Sequence, residues 1–323
     1  MRNYPVLLFH STDDRDLLSF KGLGNIRPGL FERLIIALKK EFEIVSLEEL
    51  VRHISVDVRS KDRLLALTFD DGPKSYVTQA VPAMEYHGLP STCFLITDCI
   101  GDQAIYWRYL YNYCINKGFA DQLASLINHE YMADISGGEV VSYSRSHFNR
   151  AINCRIVNRL LDGPVPEQEY REREKDLFIS SKDIRRLKKN PLVGFGIHTR
   201  SHPVLKCLTA REIYDEIAGS LDFYRSEIGG DAPMFSVPFG RLFKDYDERA
   251  IKIAKDLSVN IVLSAYGGGN AEGQPLYNIR RISVNEDMLR GGMDSFIDSL
   301  PGRLAPAEYA DQEKKLSGFL SDA

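Results

Sequence analysis

Apolar and polar positions along the chain switch repeatedly between strand and helix periods. Residues 5–10 form an apolar run of strand length that ends in a polar tip, His10-Ser11-Thr12-Asp13-Asp14. Phe31, Leu34, Ile35, Leu38 and Phe42 then fall at helical spacing. A short strand over 43–45 follows, and Ser46 with Glu49 three residues on makes a capping box for the next helix. In Leu64-Leu-Ala-Leu-Thr-Phe69, Leu65, Leu67 and Phe69 alternate with Ala66 and Thr68, as in a strand, and Gly72-Pro73 stops the run. A helix over 76–87 and a strand over 89–96 continue the series. Short strands alternating with helices predict a parallel sheet or an α/β barrel.

The rhythm breaks over residues 101–174, where Ala120, Leu123, Leu126 and Ile127 carry helical spacing. Residues 136–150 read as a polar stretch and 170–175 as a solvated charge run. A structureless loop of this length is improbable, so a mainly helical insertion is expected at about 101–175. The α/β pattern then returns. Helices are expected over 181–187, 210–228 (Thr209 as N-cap, Glu212 closing a capping box) and 247–257. Strands are expected over 191–197, 233–237, 259–263 and 279–284. Gly267-Gly268-Gly269 reads as a mobile rim loop, and the segment after Pro306 as a helix or tail. The organisation expected is one α/β domain over 1–300, interrupted by the insertion, with 301–323 as a C-terminal helix or tail.

Composition narrows the function classes. The chain has 323 residues, 44% hydrophobic and 27% charged, which suffices for a sizeable core. A net charge of -4 gives no electrostatic case for nucleic acid or an anionic membrane as partner. The five cysteines show no metal-binding spacing and read as reduced core thiols. No run approaches the roughly 18 apolar residues of a membrane span, and the N-terminal apolar run is short for a signal peptide. A cytoplasmic location without an integral membrane segment is the expectation.

Candidate chemistry sits at two strand ends. Asp70-Asp71 closes the 64–69 strand, and a carboxylate pair there serves either a turn or a site that uses the charge. His198 and His202 follow the 191–197 strand. If the backbone turns helically, residues four apart project on one side and can grip one metal. Two imidazoles and one carboxylate leave a coordination position open, as in catalytic zinc sites. The spare carboxylate would then act as general base.

These residues carry a resemblance. Thr68-Phe69-Asp70-Asp71-Gly72-Pro73 and His198-Thr199-Arg200-Ser201-His202-Pro203 resemble the first two motifs of the polysaccharide deacetylase family (NodB homology, carbohydrate esterase family 4). Phe235-Ser236-Val237-Pro238-Phe239-Gly240 resembles the third, with weaker matches at Leu7-Leu8-Phe9-His10 and Arg280-Arg281-Ile282-Ser283-Val284. The resemblance covers roughly 5–100 and 177–285. It implies a distorted, incomplete (β/α) barrel and metal-dependent removal of an acetyl group from an N-acetylated sugar. It further implies that Asp70 is the base and that Asp71, His198 and His202 bind a divalent metal, with zinc expected. Pro238, Phe239 and Gly240 would line the groove, and the Phe239 N–H would help hold the oxyanion.

Two departures stand out. The family's third motif usually opens with an arginine that pairs with the base, and Ser236 occupies that place, leaving Arg241 and Arg281 as candidates near the groove. The family often has a late histidine as general acid, yet no histidine follows His202. His10, at the end of the first strand, is the candidate replacement. The substrate expected is a sugar intermediate, on a nucleotide or lipid carrier. Two other readings are hydrolysis of a formamide on a sugar, and a carbohydrate-binding relative that has lost activity.

Overall fold

The apolar runs become short strands that bury both faces, which requires helices on one side and a filled interior on the other. The computed structural model describes residues 3–55, 63–230, 233–303 and 305–321. Among them the strands are β1 (Asn3–Tyr4), β2 (Val6–Phe9), β3 (Glu43–Ile44), β4 (Leu64–Phe69), β5 (Ser91–Leu95), β6 (Val193–Ile197), β7 (Phe235–Ser236), β8 (Val262–Leu263), β9 (Asn270–Ala271) and β10 (Ile282–Ser283). The main sheet runs β10-β2-β4-β5-β6-β7-β8, with β3 also on β4, and all its pairs are parallel. A parallel bridge from Leu263 to Ile279, just ahead of β10, draws the far edge back toward β2. The result is a curled parallel sheet, a half-barrel surrounded by helices.

Side chains divide between its two faces with the period of two that strands impose. Leu7, Phe9, Leu65, Leu67 and Phe69 join a core with Phe31, Leu34, Ile35 and Leu38 of the Pro28–Glu41 helix. Val6, Ala66, Phe94, Leu263 and Ile279 meet in a second core on the other face. Register then sets what meets at the carboxyl ends of the strands. Phe9 pairs with Phe69, so His10 and Asp70 emerge together. Leu95 pairs with Ile197, and Ile197 with Phe235, so His198 and Ser236 emerge beside them.

Several elements differ from expectation for identifiable reasons. The helix over 76–87 is a π-helical stretch, Tyr76–Ala80, followed by an α-helix, Val81–His87. Pro82 lacks an N–H and its ring clashes with the carbonyl four residues back, so the wider turn relieves the contact. The segment over 101–175 carries helices Trp107–Asn116, Ala120–Tyr131, Val140–Ser146, Arg150–Leu161 and Glu167–Arg173. Residues 136–150 are therefore not simply a polar stretch: Ser136 and Glu139 cap a turn that leads into a helix. Nor are 170–175 a solvated face. Tyr170 is buried, and the buried Glu174 accepts from the Leu18 and Ser19 N–H groups.

Gly267–Gly269 is tied down rather than a free rim loop. The Gly267 N–H donates to Arg281 and the Gly269 N–H to Arg303, and a side chain at 269 would collide with Asn3. Cys93, Cys99 and Cys114 are core thiols as expected, whereas Cys154 and Cys207 are exposed. The C-terminal residues form a helix, Ala307–Ser321, held by Glu313 against Arg280 at 2.6 Å.

The Ala210–Glu227 helix begins with the expected capping box, Thr209 accepting from the Glu212 N–H and Glu212 from Thr209. Thr209→Ala should lower unfolding stability by about 1 kcal/mol in urea denaturation, and Thr209→Ser should restore most of it.

Candidate active site

The strand ends deliver two carboxylates into different surroundings. Asp70 is buried, and its backbone N–H continues the ladder to Phe9. Its carboxylate meets the guanidinium of Arg281 in a two-point pair, Nη1 to Oδ1 at 2.7 Å and Nη2 to Oδ2 at 2.8 Å. Ser236 Oγ donates to Asp70 Oδ2 at 3.0 Å and accepts from Arg281 Nη2 at 2.7 Å. Arg281 Nε donates to the Ser264 carbonyl, so both ends of the guanidinium are fixed. Burial opposes the charge on Asp70, but Arg281, followed by His198, outweighs it and holds the carboxyl below the usual carboxylate range.

Asp71 turns away from the strand. Its φ is 71°, in the left-handed region, and Gly72 follows at 69°. Glycine suits 72, where φ is left-handed and a Cβ would press on Leu95 Cδ2 at 2.9 Å and Ile179 Cγ2 at 3.3 Å. The turn aims Asp71 Oδ1 at two imidazoles, 3.4 Å from His198 Nε2 and 3.5 Å from His202 Nε2. Asp71 Oδ2 accepts from the Tyr109 hydroxyl at 3.2 Å. Burial disfavours the Asp71 charge, yet His198 and His202 reverse that and lower its pKa.

The histidine loop is not helical. Thr199 and His202 have φ of 65° and 57°, and the His202 N–H donates to Thr199 Oγ1. Buried Glu216, on the Ala210–Glu227 helix, accepts from the Arg200 and Ser201 N–H groups, from Ser201 Oγ and from Arg150. This carboxylate holds the loop so that the two imidazole centroids lie 4.7 Å apart. His198 Nδ1 lies 2.6 Å from the Ser236 carbonyl, which only accepts, so Nδ1 carries a proton and Nε2 is the ring nitrogen turned toward Asp71. His202 Nδ1 lies 2.8 Å from the Tyr106 hydroxyl. Burial and then the neighbouring His198 push the pKa of His202 down to about 3, which favours its neutral, ligating form.

Asp71, His198 and His202 suit a cation. Their ligand atoms lie within 4.8 Å of one another, and among the described residues Asp71 Oδ1 is buried without a hydrogen-bond partner. A tetrahedral cation with bonds of about 2.0–2.1 Å keeps its donors roughly 3.3–3.4 Å apart, close to the two carboxylate–imidazole gaps.

A cavity of about 260 Å³ opens over this cluster, with His10, Asp70, Asp71, His198, His202 and Phe239 on its wall. The other groove candidates sit elsewhere. Pro238 and Gly240 are buried, and Gly240 packs against the backbone of Ala265 too closely for a Cβ. Arg241 pairs with Asp245 at 2.8 Å, and Arg281 is fully buried against Asp70. Phe239 alone of 238–240 reaches the cavity, at φ 60°, with its ring 4.7 Å from that of His202.

Sequence reasoning did not foresee that the helical segment touches the candidate metal ligands. Its Tyr106 and Tyr109 contact His202 and Asp71, and the Trp107 indole N–H donates to the His202 carbonyl at 3.1 Å. The signal was present as the aromatic run Tyr106-Trp107-Arg108-Tyr109-Leu110-Tyr111. Glu216, in an otherwise ordinary helix face, gave no such signal.

A carboxylate and two imidazoles converging beside an arginine-held carboxylate at the rim of a curled parallel sheet make an arrangement suited to cation-assisted hydrolysis. Residues 57–262 match the family model described as polysaccharide deacetylase, and the chain belongs to that family. It is accordingly a deacetylase-type hydrolase of carbohydrates. Solved structures similar to it include IcaB from Ammonifex degensii, at a TM-score of 0.60 and 14% identity over 92% of this chain and 98% of that one. The Streptococcus pyogenes deacetylase PplD in complex with acetate gives 0.59 and 16% over 92% and 98%. A de-N-acetylase from Aggregatibacter actinomycetemcomitans gives 0.57 and 13% over 91% and 99%. At these identities the likeness establishes the fold. No curated protein matches the sequence.

Arg281→Leu should strand a buried carboxylate and cost about 3–5 kcal/mol, read by chemical denaturation, whereas Asp70→Asn with Arg281→Leu should recover part of that loss. Tyr106→Phe removes the hydrogen bond to His202 Nδ1. It should weaken zinc binding about tenfold in a chelator-competition titration while the fold is kept.

Proposed function

We propose that the protein hydrolyses the acetamide of an N-acetylated sugar, with Asp70 as general base and a divalent cation, zinc by expectation, held by Asp71, His198 and His202. The observation that carries this reading is the Asp71–His198–His202 cluster lying beside the separate, arginine-supported Asp70. When bound, such a cation supplies Lewis acidity toward water and the acyl carbonyl. The bond broken joins the acetyl carbon to the sugar nitrogen, and the products are acetate and an amine.

In this reading Asp70 takes a proton from the attacking water. Arg281 and Ser236 keep Asp70 ionised and aimed, replacing the arginine that the family's third motif usually supplies. His10, on the cavity wall, gives a proton to the departing amine. The Phe239 N–H is the proposed donor to the oxyanion, where a fixed backbone dipole stabilises developing charge. Among the described residues no helix is long and apolar enough to cross a membrane. Similar structures include a de-N-acetylase and a deacetylase holding acetate, which supports acetyl as the acyl group.

Asp70→Asn should retain the zinc content of the wild type while acetate release from N-acetylglucosamine substrates falls at least about 100-fold; undiminished turnover would sink the assignment of the base. The double change His198→Ala with His202→Ala should leave the purified protein unable to retain zinc through gel filtration, as measured by elemental analysis.

A further inference from the structure

The cavity wall also carries two cationic side chains. Arg108, on the Trp107–Asn116 helix, and Arg145, on the Val140–Ser146 helix, both line it. Among the described residues Arg108 Nη1 is buried without a hydrogen-bond partner, and no carboxylate pairs with that side chain. Arg145 gives Nη2 to Asp245 at 3.0 and 3.1 Å, while its Nε is likewise buried without a partner. Asp245 is itself shared with Arg241, so Arg145 has only part of one carboxylate as its partner. The Arg145 guanidinium lies 4.4 Å from the centre of the Phe239 ring, which also packs against His202 and Trp107. That stack ties its position to the proposed metal ligands.

Arg108 is half-buried, and a buried guanidinium N–H without a partner is costly unless a ligand supplies an acceptor. The side chains of Arg108 and Arg145 both line the cavity that holds the acetamide in the reading above. Planar guanidinium donors match the oxygens of phosphate and carboxylate groups. We infer that Arg108 and Arg145 form a subsite for an oxyanion carried by the substrate, a phosphate ester or a carboxylate next to the N-acetylated sugar. The substrate is thus an anionic sugar rather than a neutral polymer. A cavity of about 260 Å³, just below the roughly 300–1,000 Å³ of common small-molecule pockets, accommodates such a compact unit. The inference rests on the deacetylase reading of the same cavity.

The test compares three probes on the zinc-loaded protein: N,N'-diacetylchitobiose as the neutral one, N-acetylglucosamine 1-phosphate, and N-acetylglucosamine linked to glucuronic acid. The wild type should favour an anionic probe about 10- to 100-fold in kcat/KM for acetate release. Arg108→Gln, which breaks no ion pair, should bring that ratio near one, and Arg108→Lys should keep part of it. Preference for the phosphate or for the uronate probe identifies the oxyanion. Equal rates for all probes in the wild type, or a preference that survives in Arg108→Gln, overturns the subsite. If no probe releases acetate, the deacetylase reading fails separately, and calorimetric binding decides the subsite. A Kd for the anionic probe raised about tenfold by Arg108→Gln upholds it, and an unchanged Kd overturns it.

Discussion

Keeping the Asp70 carboxylate charged while it is buried is the constraint that the strand ends satisfy together. An isolated carboxylate in that position would cost several kcal/mol and would take up a proton. The two-point pair with Arg281 prevents this, and Ser236 bridges the two partners. The guanidinium in turn needs its own acceptor, and Ser264 supplies one at the end of β8. Curling the sheet until the segment after Ile279 returns to β2 is what brings Arg281 under Asp70, 211 residues away in the chain. Sheet curvature and the charge state of Asp70 are therefore one problem with one solution.

The second carboxylate has the opposite requirement. Asp71 must be held by neighbours yet keep an oxygen free, and a left-handed turn achieves this by swinging it off the strand axis. Of the non-glycine residues with positive φ, Asp71, Thr199, His202 and Phe239 all lie at this rim. Such conformations cost of order 1–3 kcal/mol each and persist where surrounding packing over-determines them. Here that packing is visible: Gly72 against Leu95 and Ile179, Glu216 under the histidine loop, and Phe239 between His202, Trp107 and Arg145.

The helical segment after β5 is more than a cover. Its first helix, Trp107–Asn116, with Tyr106 as N-cap, sets Tyr106, Trp107 and Tyr109 against His202 and Asp71, and it brings Arg108 to the cavity. Hydrogen bonds to the outer atoms of ligands fix their tautomer and orientation. A segment outside the motifs thus contacts the residues within them and shapes the space above them.

The sequence by itself determined the strand–helix alternation, the rim residues Asp70, Asp71, His198 and His202, and the capping of the Ala210–Glu227 helix. Each rests on local signals: period-two apolar runs, adjacent carboxylates at a strand end, and a Thr-x-x-Glu box. Only the tertiary structure decided between Arg241 and Arg281 as the partner of Asp70, because both lie far from it in sequence and the choice depends on how the sheet curls. It also decided that the histidine loop is held by Glu216 rather than by a helical turn, and that Pro238 and Gly240 are buried while Phe239 alone reaches the cavity. Pairing of a buried charge is a property of the assembled sheet, and no local pattern of residues encodes it.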